Sequence, residues 1–384
     1  MSEIRFEGVT KRFGAVTVFE DIDLTCPEHA YLCLLGPSGC GKTTLMRMVA
    51  GLESPDAGDV LIGGERVNDL SPAWRNVGMA FQNYALYPHL SVSENLAFPL
   101  RAPIRKGQMS EAEITRRTDE VAGLLRIAWL LDRPVGALSG GQQQRVALGR
   151  ALIRNPPVLL LDEPVTHLDA RLRYEMRAEL KTLHARLGTT TIHVTHDQSE
   201  ALAVADLIAV MNSGEIEQVG PPMAVYDDPR TAFVAGFVGD PPMSVIEVPV
   251  HPGGDGPRLT LGDSALTPPA AMSGLLDGRD RVLLGLRPAA VDLVAPDAPG
   301  AIAATVYAHE MVGRELQIML SIGEGQVRYR TPEIRAVAVG EAVACAIDLD
   351  GARLFDAQTG IALTAGSDPA PGRAGAAMPE TPRP

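Results

Sequence analysis

The stretch Tyr31-Leu32-Cys33-Leu34-Leu35-Gly36-Pro37-Ser38-Gly39-Cys40-Gly41-Lys42-Thr43-Thr44 decides the fold. An apolar run of strand length enters a glycine-rich loop, and Lys42 opens a segment of helical character. Gly36 to Thr43 fits the spacing of a phosphate-binding loop. Its glycines let backbone N–H groups close around phosphate oxygens, and the helix N-terminus adds the positive end of its dipole. Lys42 is expected to reach β- and γ-phosphates, and the Thr43 hydroxyl to ligate Mg²⁺. A glycine-rich turn with an accidental lysine is the alternative, and the strand–loop–helix context argues against it. Cys40 reads as a small filler within the loop.

Outward from this loop, short apolar strands alternate with amphipathic helices to about residue 235, the pattern of an α/β fold with parallel strands. Val158–Leu161, Thr191–Thr195 and Leu207–Met211 read as further buried strands. Leu172, Met176, Leu180, Leu183 and Leu187 form one apolar helix face that stops at Gly188. A second helix is expected from about Glu111 to Leu131. Asp162, at the tip of its strand, suits a Mg²⁺ carboxylate, and the adjacent Glu163 points elsewhere, toward an attacking water. Two acids after an apolar strand are by themselves a common solvated turn; the phosphate-binding loop changes that weighting. Leu138-Ser139-Gly140-Gly141-Gln142 precedes a helical run from Gln143 to Arg154 and reads as a second anion-binding helix start. Within one subunit it is redundant, so it makes sense if it meets the γ-phosphate of a nucleotide held by another copy.

After Pro241-Pro242 the texture turns short, Val-rich and punctuated by Gly and Pro, as in Arg281–Gly285 and Leu316–Leu320. That predicts a small β-barrel reaching about residue 364, followed by a Pro-, Gly- and Ala-rich tail, 365–384, expected to be disordered.

Composition removes other classes. The 384 residues are 46% apolar and 21% charged, ample for a buried core and long enough for two domains. With 47 acidic and 34 basic side chains the net charge is −13, and no local Lys/Arg run supplies a basic face for nucleic acid. No apolar run approaches the roughly 18 residues of a membrane span. The four cysteines show no metal-type pairing and read as buried free thiols of a cytosolic chain.

The pentapeptide Leu138–Gln142, the phosphate-binding loop, the strand ending in Asp162-Glu163, and His196 in Thr195-His196-Asp197-Gln198 together closely resemble the ATP-binding subunits of ABC transporters. The resemblance extends to about Leu363. Phe81-Gln82-Asn83-Tyr84-Ala85-Leu86-Tyr87-Pro88-His89 is similar to the Q-loop region of binding-protein-dependent sugar importers. Gly285-Leu286-Arg287-Pro288 and Phe355-Asp356-Ala357-Gln358-Thr359-Gly360 resemble the C-terminal regulatory domain of the maltose and glycerol-3-phosphate type.

The resemblance implies an ABC nucleotide-binding domain over 1–235 with a helical subdomain at about 83–155, an OB-like barrel regulatory domain over 236–364, and the tail. It implies ATP and Mg²⁺ as cofactors. Phe13 would stack on adenine, although a core aromatic at a strand end is the bland reading. Ser38, Gly39, Cys40, Gly41, Lys42, Thr43 and Thr44 would cradle the phosphates. Thr43, Gln82 and Asp162 would serve the metal; Glu163 would be the general base, with Gln82 on the water and His196 on the γ-phosphate. Ser139, Gly140, Gly141 and Gln142 would complete the site from a second copy. The implied partners are that second copy, two transmembrane permease subunits and, through them, a periplasmic or extracellular solute-binding protein. The implied location is peripheral, on the cytoplasmic face of the inner membrane.

The implied activity is ATP hydrolysis that energises import of a sugar, polyol or glycerol-3-phosphate, with polyamine, sulfate or iron import as alternatives. A soluble ATPase acting on ribosomes or DNA is the rival class; a single phosphate-binding loop, a single Leu138–Gln142 motif and only about a hundred residues between them disfavour it. One departure stands out: Thr166-His167-Leu168-Asp169 replaces the usual Ser-Asn-Leu-Asp, and His167 would bring pH sensitivity to the coupling of the two sites.

Overall fold

The computed structural model describes residues 2–102, 109–166, 168–254, 256–333 and 337–364. His167 and the tail 365–384 lie outside the described residues, and with them the pH-sensitivity and disorder expectations. The chain divides into two compact units, one ending at Pro222 and the other beginning at Met223.

The first unit opens with β1 (Ile4–Phe13), β2 (Val16–Cys26) and β3 (Tyr31–Leu35), then α1 (Lys42–Ala50), β4 (Ala57–Ile62), β5 (Glu65–Arg66) and β6 (Val77–Ala80). Next come α2 (Val92–Ala97), α3 (Glu111–Leu124) and α4 (Gly140–Leu152). It continues through β7 (Val158–Asp162), α5 (Ala170–Leu187), β8 (Thr190–Thr195), α6 (Gln198–Val204), β9 (Leu207–Asn212) and β10 (Glu215–Gly220). The strands form a four-stranded antiparallel sheet, β2-β1-β4-β5, and a six-stranded sheet, β10-β9-β3-β8-β7-β6, parallel except for its edge strand β10. Strands β3, β7 and β8 are buried throughout, as central parallel strands covered on both faces must be. One core joins the two sheets: Leu45, Met46, Met48 and Val49 of α1 cluster with Ile4, Phe6 and Leu24 of the first sheet and with Leu32, Leu160 and Val194 of the second.

Register sets what faces the site. Leu35 of β3 pairs with Thr195 of β8, Asp162 of β7 with Val194, and Ala80 of β6 with Leu161. Four carboxyl ends therefore finish side by side, and the loops leaving them carry Gly36–Gly41, His196, Glu163 and Gln82. This is the edge where open α/β sheets bind ligands.

Between β6 and β7 the regular elements are helical, and each of α2, α3 and α4 begins with a reciprocal capping box: Ser91 with Glu94, Ser110 with Glu113, and Ser139 with Gln142. The helix expected from Glu111 to Leu131 ends at Leu124 because Arg126 turns left-handed, at φ 57°, and the chain resumes as a short 3-10 turn over Ala128–Leu130. Helix α5 keeps its expected face, burying Met176, Leu180 and Leu183, and stops at left-handed Gly188. All four cysteines are free and buried, and burial raises the thiols of Cys26, Cys33 and Cys345.

The second unit holds α7 (Pro222–Asp227) and α8 (Ala232–Phe237), then β11 (Ser244–His251), β12 (Arg258–Leu261), β13 (Ser264–Leu266), α9 (Ala270–Ser273) and β14 (Arg281–Leu286). It ends with β15 (Val291–Val294), β16 (Ile302–Val312), β17 (Glu315–Ile322), β18 (Gly325–Thr331), β19 (Ala342–Ile347) and β20 (Arg353–Asp356). Its strands form two five-stranded antiparallel sheets, β13-β12-β11-β14-β20 and β15-β19-β16-β17-β18, on one core that includes Val248, Leu259, Leu284, Val306, Ile318 and Leu320. The break falls ahead of the expected position near residue 235 because α8 buries Ala235 against Met243 and Phe355 of this unit. Arg287 adds a second tie: its guanidinium lies 3.9 Å from the Tyr226 ring centroid and donates to the Val238 carbonyl.

Candidate functional site

The loop from Gly36 to Gly41 joins β3 to α1. Gly39 and Gly41 have φ of 84° and 104°, conformations that side-chain-bearing residues rarely adopt, so their glycines are required by the backbone. Gly41 is the N-cap of α1 and brings no side-chain cap, so the first N–H groups of the helix stay available to an anion. Lys42 is buried, and its Nζ donates to the Gly36 and Pro37 carbonyls, both at 2.8 Å. The ammonium is thus held over its own loop by carbonyl dipoles. Cys40 is buried 3.7 Å from that Nζ, in keeping with a filler.

The Thr43 hydroxyl donates to Asp162 Oδ1 at 3.2 Å, so two of the residues expected at a metal are in contact. Burial raises the Asp162 pKa above its ordinary value, and the Thr43 hydrogen bond opposes that rise. A divalent ion would oppose it further. Hydroxyl, carboxylate and amide oxygens are the hard donors that Mg²⁺ takes alongside phosphate oxygens, so Thr43 and Asp162 fit that ion.

Glu163 is the centre of convergence. Its backbone is left-handed, φ 45°, an uncommon state for a residue with a side chain, and its N–H is tied to the Val194 carbonyl at 3.0 Å. Gln82 Nε2 donates to Glu163 Oε2 at 2.8 Å, the Thr166 hydroxyl donates to the same oxygen at 3.2 Å, and His196 Nδ1 lies 3.1 Å from Oε1. Of the three side chains expected to act in catalysis, drawn from the ends of β6, β7 and β8, Gln82 and His196 therefore both touch Glu163 directly, on opposite oxygens. Both carboxylate oxygens are engaged, which leaves the carboxylate oriented but occupied. The contact of Thr166 was not among the expected site residues. The only sequence signal was its stand-in for the usual serine, and a hydroxyl at that position preserves the donor.

Phe13 is half exposed at the end of β1, which removes the core-aromatic reading, and Lys11 Nζ lies 4.9 Å from its ring centroid. Ser139 and Gln142 cap each other: the Ser139 N–H donates to Gln142 Oε1 at 3.0 Å, and the Gln142 N–H donates to Ser139 Oγ at 3.4 Å. Gly141 is buried against Leu172 of α5, where an added Cβ would lie 2.5 Å from Leu172 Cδ2. Asp169 caps α5 through the Leu172 N–H at 2.9 Å.

Comparison with known proteins places the chain among relatives of one family. The ABC transporter family profile matches residues 19–166. The sn-glycerol-3-phosphate import ATP-binding protein UgpC 1 of Rhizobium johnstonii is 45% identical over 360 residues, covering 94% of this chain and 96% of its own. The corresponding UgpC of Cereibacter sphaeroides is 43% identical, covering 94% and 99%. Among solved structures, a dimeric ATP-binding cassette in a post-hydrolysis state bound to ADP and Pi is 32% identical, with a TM-score of 0.52, and is covered over 98% of its length by 57% of this chain.

Proposed function

The chain belongs to the ABC transporter family of ATP-binding proteins, and from that premise we propose that it is the ATP-hydrolysing subunit of a binding-protein-dependent importer for glycerol-3-phosphate or a related sugar or polyol. The observation that carries the reading is the meeting of Gln82, Thr166 and His196 on Glu163 at the same sheet edge as the phosphate-binding loop. The substrate class rests on the names of the relatives aligned across nearly the whole chain.

In this reading ATP enters with its base on the exposed ring of Phe13 and its phosphates against the N–H groups of Ser38 to Thr44. Lys42 exchanges the Gly36 and Pro37 carbonyls for phosphate oxygens, a trade of dipoles for full charges that favours the bound state. Thr43, Asp162 and Gln82 would hold Mg²⁺, which when bound would neutralise charge on the transferred phosphoryl. The γ-phosphate draws His196 off Glu163 Oε1, and the freed oxygen accepts a proton from, or orients, the attacking water while Gln82 fixes its line of approach. A second copy contributes Ser139, Gly140, Gly141 and Gln142 at the start of α4, completing the ring of donors around the γ-phosphate. Loss of that phosphate on hydrolysis removes what bridges the two copies, so the dimer reopens and the cycle drives two permease subunits served by a solute-binding protein. The chain then works as a peripheral subunit on the cytoplasmic face of the inner membrane; among the described residues no helix is long and apolar enough to cross a membrane.

The test is purification of the tagged chain from gently solubilised membranes of its host, with mass spectrometry of what accompanies it and an ATPase assay of the eluate. Two polytopic membrane proteins with ATPase activity are expected, and the solute-binding protein encoded with them is the reagent for finding the ligand. Ribosomal or DNA-repair partners, with none from the membrane, would overturn the transport reading while leaving the ATPase intact.

A further inference from the structure

His196 emerges one residue beyond β8 with its ring 46% exposed, and Glu163 is its side-chain partner. A ring so placed takes its aim from the backbone beneath it. That backbone is fixed from below. The Asp197 N–H donates to the Thr195 hydroxyl at 2.9 Å, and the same hydroxyl donates to Glu200 Oε2 at 2.5 Å, so Thr195 closes a loop around His196. Asp197 Oδ1 accepts the Glu200 N–H at 3.1 Å, capping α6 and locking the turn from its other side.

The support continues inward. Glu200 Oε1 lies 3.1 Å from His193 Nε2, and His193 Nδ1 lies 2.8 Å from the Tyr31 hydroxyl on β3, the strand that ends in the phosphate-binding loop. Tyr31, His193, Thr195 and Glu200 are all essentially without solvent exposure. Burial works to raise the Glu200 pKa, but His193 and the Thr195 hydroxyl outweigh it and hold the carboxyl below its ordinary value. Burying a carboxylate beside an imidazole adds little net stability, because desolvation consumes most of the attraction, and apolar side chains of similar size would pack there as well. What apolar side chains could not do is hold the Thr195–Asp197 turn in one orientation.

We propose that Thr195 and Glu200, backed by His193 and Tyr31, are positioning residues that aim the His196 ring at the transferred phosphoryl and tie its strand to the strand bearing the phosphate-binding loop. The proposal rests on the assignment of His196 to the γ-phosphate made above. A shift of about 1 Å in such a group lowers turnover by roughly a hundredfold while leaving ground-state binding nearly intact.

The experiment compares the full chain with Thr195→Val, which keeps the shape and loses the hydroxyl, and Thr195→Ser, which keeps the hydroxyl. The readouts are kcat and KM for MgATP, the melting temperature, and the ring ¹⁵N resonances of His196 in histidine-labelled protein, assigned with His196→Gln. Thr195→Val should lose ten- to a hundredfold in kcat with KM within about twofold and a displaced His196 resonance; Thr195→Ser should recover most of both. A kcat for folded Thr195→Val within twofold of wild type, or an unmoved His196 resonance, would overturn the proposal. Losses in kcat that follow melting temperature equally in Val and Ser would reduce Thr195 to a structural residue and overturn it too. If Thr195→Val does not fold, Glu200→Gln takes its place: at least a fivefold loss in kcat at constant KM is expected, and unchanged kcat refutes. Wild-type protein without ATPase activity, or full activity in His196→Gln, would instead sink the functional reading, and the resonances report positioning without turnover.

Discussion

The two left-handed glycines of the phosphate-binding loop separate two kinds of damage. At Gly41, with φ 104°, alanine incurs backbone strain of about 1–3 kcal/mol. Its Cβ would also lie 2.9 Å from Cδ1 of Phe19 and 3.2 Å from Cγ1 of Val18. Phe19 is buried and cannot swing aside, so overpacking adds about 1–3 kcal/mol. Gly41→Ala should therefore destabilise the first unit by about 2–6 kcal/mol, a fall in melting temperature of roughly 4–24 °C for a unit of this size. At Gly39, with φ 84°, no atom lies within 4 Å of the added Cβ, so strain alone acts. Gly39→Ala should cost the strain alone, about 1–3 kcal/mol or roughly 2–12 °C, so the two variants should differ by the overpacking. Its larger effect falls on the ligand. An alanine that relaxes from that φ turns the Gly39 N–H out of the loop, so stabilisation by MgATP, about 2.7 kcal/mol for wild type at a hundredfold excess over Kd, should drop by more than half. Calorimetric melting of the three proteins with and without MgATP reads both quantities. Melting points for Gly41→Ala and Gly39→Ala within 2 °C of each other would refute the packing argument, and an undiminished ATP-induced shift in Gly39→Ala would refute the role given to the N–H.

Glu163→Gln keeps the shape of the side chain and removes the base, so ATP should still close the dimer while hydrolysis falls by about 10²–10⁴-fold. Light scattering should detect an ATP-stabilised dimer in the variant, and turnover at the wild-type rate would remove Glu163 from the role. In the second unit the Thr359 N–H, followed by Arg279 and the Gln358 N–H, holds the Asp356 carboxyl down at about 2 against the opposing effect of burial. A depressed folded-state pKa stabilises above the unfolded value near 4 and loses that contribution as pH falls toward 2; discounted for solvent screening, it is about 1 kcal/mol. Asp356→Asn should thus lower the melting point of this unit at pH 7 and approach wild type only as pH falls to about 2, and a gap constant with pH would contradict the assignment.

What the chain discloses in one dimension divides along a physical line. Chemistry carried by local backbone geometry is legible: the glycines of the phosphate-binding loop, the helix start after Ser139, and the glycine that ends α5 act within a few residues of themselves. The strands were legible for a related reason, because burial on both faces leaves an unbroken apolar run. Contacts across the sheet are another matter. Nothing near Glu163 in sequence announces that Gln82, 81 positions away, and His196, 33 away, will share its carboxylate; that follows from the order β3-β8-β7-β6 and its register. The premature end of α3 turns on one left-handed arginine, whose side chain carries no signal for that conformation. His193, a titratable residue inside a wholly buried strand, finds its partners on β3 and α6 only once those elements are packed together. The polar residues hardest to read are thus the ones that tie the legible ones in place: the Thr166 hydroxyl donates to the Glu163 carboxylate, and the Thr195 hydroxyl joins Glu200 and the Asp197 N–H on either side of His196. A site assembled from four strand ends needs such cross-ties, because each loop is free to turn about the end of its own strand, and backbone pairing stops where the loops begin.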